Sequence, residues 1–201
     1  MASKNVQAGG AATRHRELNR AMLDDEQQRI YDMIVAGPRG RVEGPLETWL
    51  ESPQLAEKAQ ELGAFCRFGT SLPPRLSELA ILVVGAWWQA DFEWYVHAPI
   101  ARSAGISDEV IEAIRTGRPP DFEREDEAAV HGFTFELLRY RRVSDASHDR
   151  VVGLLGRRGA IELTAMLGYY TLISMTIVGF DVPLPGGAPS PFADIALKVH
   201  K

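Results

Sequence analysis

The chain has 201 residues, 45% of them apolar and 24% charged, which is typical of one ordinary globular domain with a sizeable core. Its net charge of −5 is spread without a basic stripe and therefore argues against a nucleic-acid partner, since such a groove needs clustered Lys and Arg. The polar segment Met1–Thr13 lacks the apolar region of a secretory signal, so we expect a cytoplasmic protein. The single cysteine, Cys66, excludes an internal disulfide and a C-x-x-C pair.

Proline and glycine punctuation divides the first half of the chain into helices. Apolar residues at helical spacing predict four of them, over Asp24–Ala36, Ser52–Cys66, Pro73–Trp88 and Asp91–Gly105. We place the break between the last two near Trp88–Asp91, where Asp91 could cap the second helix. Cys66 falls on an apolar stripe, so we expect its thiol in the core rather than in a reactive setting.

The second half continues the helical pattern. Further helices are predicted over Ser107–Ile114 and Glu125–Tyr140, then from a Ser147 cap to Leu155, and from Ala160 onward after a separation at Gly159. The uncharged stretch Leu163–Phe180 reaches the length of a membrane span, but its polar and glycine residues favour a buried or interface helix, and no membrane partner is expected. About seven helices and no strands predict a single all-α domain.

The ends of the chain are predicted to lie outside this domain. Residues 1–22 are interpreted as a disordered or extended tail and 23–185 as the helical domain. The proline-rich segment 186–201 is interpreted as a C-terminal tail.

One pair of ionisable residues stands out. Glu93 and His97 are four residues apart on one predicted helix, so their side chains share a face. Such pairs are more often solvated surface contacts. The neighbouring Trp87, Trp88 and Trp94, however, predict a desolvated setting that can move a pKa toward neutrality, as acid–base chemistry requires.

Three segments resemble the core of the carboxymuconolactone decarboxylase family, within the alkylhydroperoxidase-like all-α proteins. They are Arg75–Leu82, Glu93–His97 and Ala101–Ser107, and the resemblance covers roughly Gly37–Pro185. It implies the family's fold and a role in the catabolism of aromatic compounds. It also implies a homo-oligomer, a trimer or hexamer, which the uncharged final helix would suit.

The resemblance also separates two chemistries. The peroxidase branch has a glutamate on one helix and C-x-x-C-x-x-x-H on the next, a pattern whose ends Glu78 and His97 match. Ala90 and Glu93 occupy the two cysteine positions, so thiol peroxidase chemistry is excluded. The decarboxylase branch, with E-x-x-x-H and no cofactor or metal, is similar to what remains.

By this resemblance we expect a cofactor-free lyase acting on a small carboxylated lactone or related organic acid. His97 would protonate carbon or an enolate oxygen as CO₂ leaves, while Glu93 or Glu78 orients the imidazole. Arg75 and Arg102 are candidates to bind the substrate carboxylate, although each is more often a surface charge. Trp88 and Trp94 are candidates to line the substrate site.

Two other functions remain open. The same pocket could hold a small apolar ligand in a non-catalytic oligomeric binding protein. A different lyase, isomerase or hydrolase on this scaffold is equally compatible with the sequence. The remaining histidines are expected to be structural or solvated, and the pattern lacks the ligand spacing of a metal site; they are His15, His131, His148 and His200.

Overall fold

The computed structural model describes residues 14–195. This part of the chain forms eight α-helices and no β-strand, which confirms the predicted all-α class. The helices are α1 (Asp25–Ala36), α2 (Pro45–Trp49), α3 (Pro53–Ala64), α4 (Pro74–Trp88), α5 (Asp91–Ser103), α6 (Asp108–Thr116), α7 (Glu125–Tyr140) and α8 (Asp145–Phe180). The short helix α2 was not predicted, and the last two predicted helices form one bent helix, α8. A π-helical turn, Phe65–Gly69, follows α3.

Helix α4 is the centre of the domain. Its residues Leu76–Gly85 are all buried, as expected for a helix that is apolar on every side, and it packs against α5, α6, α7 and α8. The helix ends at Gln89, which adopts a left-handed conformation with φ 49°. The predicted break before α5 is therefore present, and it places two helices of the site side by side.

The predicted cap of α5 was wrong. Ala90 occupies the N-cap position without a side-chain hydrogen bond, and Asp91 is the first helical residue. The Asp91 carboxylate instead accepts a hydrogen bond from the Ser190 hydroxyl at 2.7 Å. The first turn of α5 thus begins directly after a left-handed residue, and this brings Glu93 close to α4.

Helix α8 bends at a different glycine from the one predicted. The non-helical residue is Gly156, with φ 72° and ψ 166°, whereas Gly159 continues the helix. A positive φ of this kind is accessible to glycine without strain. The cap also differs, because Ser144 rather than Ser147 accepts the capping hydrogen bond, and the Ser147 hydroxyl donates to Glu136.

One helix of the described residues, α8, is long and apolar enough to cross a membrane. Half of its most apolar window is buried inside the domain. That burial is characteristic of the core helix of a globular protein, and one such helix is weak evidence for a span.

The described parts of both predicted tails contact the helices. His15 is buried and lies 3.4 Å from the Glu47 carboxylate. Phe192 is also buried and packs edge-on against Trp94, with ring centroids 5.3 Å apart.

Candidate active site

Three ionisable side chains meet in the core between α4 and α5. Nδ1 of His97 donates a hydrogen bond of 2.7 Å to Glu78 Oε2, and its Nε2 lies 3.0 Å from Glu93 Oε1. All three residues are at most 6% exposed. The imidazole therefore lies between two carboxylates, one at each ring nitrogen.

This environment holds a proton on the imidazole. Burial opposes the charge, but the negative charges of Glu93 and Glu78 and the hydrogen bond to Glu78 outweigh it, and together they raise the pKa of His97 to about 9. At pH 7 the residue is therefore an imidazolium with a hydrogen on each nitrogen. The arrangement suits a residue that donates a proton or stabilises negative charge.

The two carboxylates differ in their access to ligands. Glu93 and His97 line a cavity of about 260 Å³, whereas Glu78 does not. Glu93 Oε1 approaches His97 off the hydrogen-bond direction and has no hydrogen-bond partner among the described residues. Glu78 thus orients the ring through Nδ1, while His97 and Glu93 face the cavity.

Aromatic and apolar side chains enclose the rest of the reactive end. The Tyr170 ring packs edge-on against His97, with centroids 5.4 Å apart, and burial, with further contributions from Glu93 and Glu78, raises the pKa of Tyr170 well above its usual value. Tyr170 is therefore neutral. Phe92, Val96 and Ile173 complete this wall, so water is largely excluded around the imidazolium.

Three basic side chains also line the cavity. They are Arg39 and Arg41 from the segment between α1 and α2, and Arg67 from the π-helical turn. Arg41 forms an ion pair of 2.7 Å with Glu43. A cavity lined by both an acid–base pair and cations can orient a small organic anion.

The family model for "Carboxymuconolactone decarboxylase family" matches residues 53–131, the segment that contains Glu78, Glu93 and His97. This segment of the chain is therefore similar to the carboxymuconolactone decarboxylase family. No curated protein matches the sequence. The similarity covers the part of the chain that forms the site.

Solved structures share the fold at low sequence identity. An uncharacterized peroxidase-related protein from Ralstonia eutropha, described as an alkylhydroperoxidase AhpD core, aligns with a TM-score of 0.68 and 13% identity, over 90% of this chain and 100% of its own. A debrominase in complex with 2,3,4-tribromopyrrole aligns with a TM-score of 0.66 and 16% identity, over 88% and 92%. A peroxidase-related protein from a Silicibacter species aligns with a TM-score of 0.65 and 13% identity, over 80% of this chain and 85% of its own. The fold is therefore alkylhydroperoxidase-like.

By the resemblance given above, Ala90 and Glu93 stand where the redox branch has its cysteines. Ala90 is fully buried. Cys66 lies elsewhere, in the π-helical turn, and is also fully buried, as predicted. Burial raises the pKa of its thiol to about 11, so the described residues contain no reactive thiol.

The two arginines proposed from the sequence lie outside the lining of the cavity. Arg75 is bound to Asp126 and Glu127 on α7, with a distance of 2.6 Å to Asp126. Arg102 is exposed and forms an ion pair with Asp108. Both guanidinium groups already have carboxylate partners, so the geometry lends no support to a role in substrate binding.

The two tryptophans proposed from the sequence also lie outside that lining. Trp94 is buried against Phe192, and Trp88 is partly buried next to the break after α4. Helix α5 turns Phe92, Glu93, Val96 and His97 toward the cavity instead. Trp88 and Trp94 therefore shield the site from water without lining the cavity, and Phe92 lines it directly.

The other described histidines have structural settings. His131 packs between Phe122 and Phe135, and burial lowers the pKa of His131 to about 4. His148 is exposed beside Asp149; His200 lies outside the described residues. Within residues 14–195 no three His, Cys, Asp or Glu side chains are placed to bind a metal, since Glu78 and Glu93 lie at opposite nitrogens of His97.

Sequence reasoning missed Arg39, Arg67, Tyr169 and Tyr170. The arginines follow no helical periodicity, because they lie in a loop and an irregular turn. The tyrosines belong to α8, about 70 residues after His97. Only the tertiary fold brings these four side chains to the cavity.

Proposed function

We propose that this protein is an acid–base enzyme, a lyase that decarboxylates a small carboxylated lactone or related organic acid. The observation that carries the proposal is the His97 imidazolium, held between Glu78 and Glu93 and facing a small cavity. The cysteine-free site supports proton chemistry over thiol chemistry. The cations that line the cavity fit an anionic substrate.

The reaction requires one proton. As the carbon–carboxylate bond breaks, its electron pair enters the conjugated lactone system and CO₂ departs. His97 then donates the hydrogen on Nε2 to the resulting carbanion or enolate and is reprotonated from solvent. The net change is replacement of a carboxylate by hydrogen, without oxidation or reduction.

The surrounding residues support this step. Glu78 keeps the ring oriented and its charge balanced through Nδ1. Glu93, beside Nε2, disfavours a second negative charge near itself, and this promotes loss of a substrate carboxylate placed there. Tyr170 and Phe92 exclude water that would otherwise screen these interactions.

The proposal is tested with purified protein and γ-carboxymuconolactone, by following substrate absorbance and CO₂ release. We expect turnover in the native protein and a loss of at least about 10²-fold in kcat for His97→Gln, the usual contribution of a general acid. His148→Gln is the matched control, since His148 is exposed and outside the cavity lining; it should retain full activity.

Other outcomes would redirect the interpretation. Absence of turnover in the native protein rejects this substrate. Equal turnover in native protein and His97→Gln rejects the role of the imidazolium. Binding of small ligands without turnover of any member of a lactone and organic-acid panel would favour the non-catalytic binding protein instead.

We further propose that the chain assembles into a homo-oligomer, a trimer or hexamer, through α8. The solvent-facing side of the second half of this helix carries a continuous stripe without charged residues. It includes Leu172 and Met175, which are 38% and 52% exposed. An exposed uncharged stripe of this length is typical of a protein interface. Its members are Ile161, Thr164, Ala165, Gly168, Leu172, Met175, Val178 and Gly179.

Light scattering coupled to size exclusion tests this assembly. We expect the native mass to be three or six times the 22.2 kDa of one chain. Met175→Glu should lower it, because the substitution would bury a charge in the interface. A native protein that elutes as a monomer would contradict the assembly.

A further inference from the structure

Two arginines of the cavity lack an acidic partner in the part of the chain that the structure describes. Arg41 is neutralised by Glu43, but neither Arg39 nor Arg67 forms an ion pair with any of residues 14–195. Arg67 lies over the Phe68 ring, with its guanidinium carbon 5.3 Å from the centroid. Partly buried guanidinium groups normally bind carboxylates, so these two are available to a ligand.

Arg39 is held in place by a phenol. Its Nη2 donates a hydrogen bond of 3.0 Å to the Tyr169 hydroxyl oxygen, while its Nε is enclosed without a hydrogen-bond partner. Tyr169 is buried, and burial, only partly offset by Arg39, raises the pKa of Tyr169 to about 12. The phenol is thus neutral, and its hydroxyl hydrogen is a second donor beside the guanidinium.

A glycine makes this contact possible. A Cβ atom added to Gly63 in α3 would lie 2.0 Å from the Tyr169 hydroxyl oxygen and 2.3 Å from Arg39 Nη2. No other residue type fits without displacing the pair. Since Gly63 is not in a left-handed conformation, the space it leaves for Arg39 and Tyr169 is its structural role.

The pair connects to the acid–base residues through two aromatic contacts. The Tyr169 ring packs edge-on against Tyr170 at 5.3 Å between centroids, and Tyr170 packs in turn against His97 at 5.4 Å. Arg39 and Tyr169 both lie outside the matched segment 53–131. The matched segment thus supplies the acid–base residues and Arg67, and the flanking segments supply Arg39 and Tyr169.

We propose that Arg39 and the Tyr169 hydroxyl, assisted by Arg67, form a carboxylate-binding subsite that selects and orients the substrate. The proposal rests on the function given above, and its two main residues, Arg39 and Tyr169, come from outside the matched segment. The bound carboxylate is one that remains in the product, because the departing group must lie beside His97 and Glu93.

Binding of a product-like acid tests the subsite without relying on turnover. Muconolactone, which keeps one carboxylate, and its uncharged methyl ester are titrated calorimetrically into native protein, Arg39→Met, Arg39→Lys and Tyr169→Phe. Arg150→Met is the control, since Arg150 is partly exposed, lies 3.5 Å from Glu125 and is outside the cavity lining. Far-UV circular dichroism and a melting curve verify that each variant is folded.

We expect Arg39→Met to weaken binding of the acid by about tenfold or more, the usual effect of losing a charge-assisted hydrogen bond. Arg39→Lys should recover part of the loss, Tyr169→Phe should lose a few-fold, and Arg150→Met should bind as native protein does. The ester should bind native protein and Arg39→Met equally weakly.

Three results would overturn the subsite. They are native affinity for the acid in Arg39→Met, equal affinity of native protein for acid and ester, and no binding of the acid to native protein. The result is separable from the proposed function: Arg39-dependent binding without decarboxylation keeps the subsite and rejects the lyase. Decarboxylation with an unchanged KM in Arg39→Met keeps the lyase and rejects the subsite.

Discussion

The protonated state of His97 makes the stability of the protein depend on pH in a defined direction. Its pKa is raised from 6.5 to about 9 in the folded chain, and each pKa unit corresponds to about 1.4 kcal/mol. The protonated imidazole therefore stabilises the fold by about 3 kcal/mol at acidic and neutral pH. The contribution is complete below about pH 6.5, falls as pH rises, and is lost above about pH 9.

The perturbation that isolates this effect is His97→Gln, which keeps a hydrogen-bonding side chain but cannot titrate. Free energies of unfolding are measured by urea denaturation between pH 6.5 and 9.5 for both proteins. The native curve should fall by about 3 kcal/mol relative to the variant over this range. The comparison cancels the ionisation of Cys66 and of the tyrosines, because both proteins contain them.

A parallel slope in the two proteins would refute this reasoning. It would mean that the imidazole is neutral in the folded state, or that Glu78 and Glu93 do not stabilise its charge. A direct readout is the chemical shift of the His97 ring protons, whose midpoint should lie near pH 9 rather than 6.5. His148→Gln, an exposed replacement, should leave the native slope unchanged.

Three further predictions follow from local geometry. Gly63→Ala should destabilise the fold by about 1–3 kcal/mol in urea melts, because its methyl would lie 2.0 Å from the Tyr169 hydroxyl oxygen. The control Gly153→Ala, in open space, should be neutral or stabilising. Equal effects of the two substitutions would contradict the contact at Gly63. Since burial lowers the pKa of His131 to about 4, the free energy of unfolding should fall as pH drops from about 6.5 to 4. His131→Phe should flatten that part of the curve, and an unchanged slope would show that the ring is accessible to water. Cys66 should react with a disulfide reagent at pH 8 only after unfolding; rapid labelling of the native protein would show that its burial is transient.

The sequence predicted the helices best where local chemistry marks their ends. Prolines 73 and 74 open α4, and Ser107 caps α6, as expected from cap and turn preferences. The bend in α8 was misplaced, because Gly156 and Gly159 are equally capable of interrupting a helix. The choice between them depends on packing that a single sequence does not reveal.

The acid–base residues were also predictable, but the arginines of the cavity were not. Glu93 and His97 are four residues apart on one helix, and Glu78 occupies the glutamate position of the family pattern. Arg75 and Arg102, chosen for their charge, have carboxylate partners on α7 and at the start of α6. No periodic signal identifies Arg39, since a loop residue has no fixed face and its partner Tyr169 lies 130 residues away.

Under the proposed function, the resemblance places Ala90 and Glu93 at two cysteine positions, and this exchange changes the chemistry of the scaffold. In a dithiol site the histidine and glutamate would relay protons to and from sulfur, so electrons and protons move together. Here Glu93 lies beside Nε2 of His97, the nitrogen that faces the cavity, and Ala90 leaves no nucleophile nearby. The Glu93 carboxylate raises the pKa of His97, so the imidazole holds a proton at neutral pH instead of relaying protons. A site that holds one proton and lacks a reactive thiol can perform protonation, and decarboxylation is a reaction in which a single delivered proton completes the chemistry.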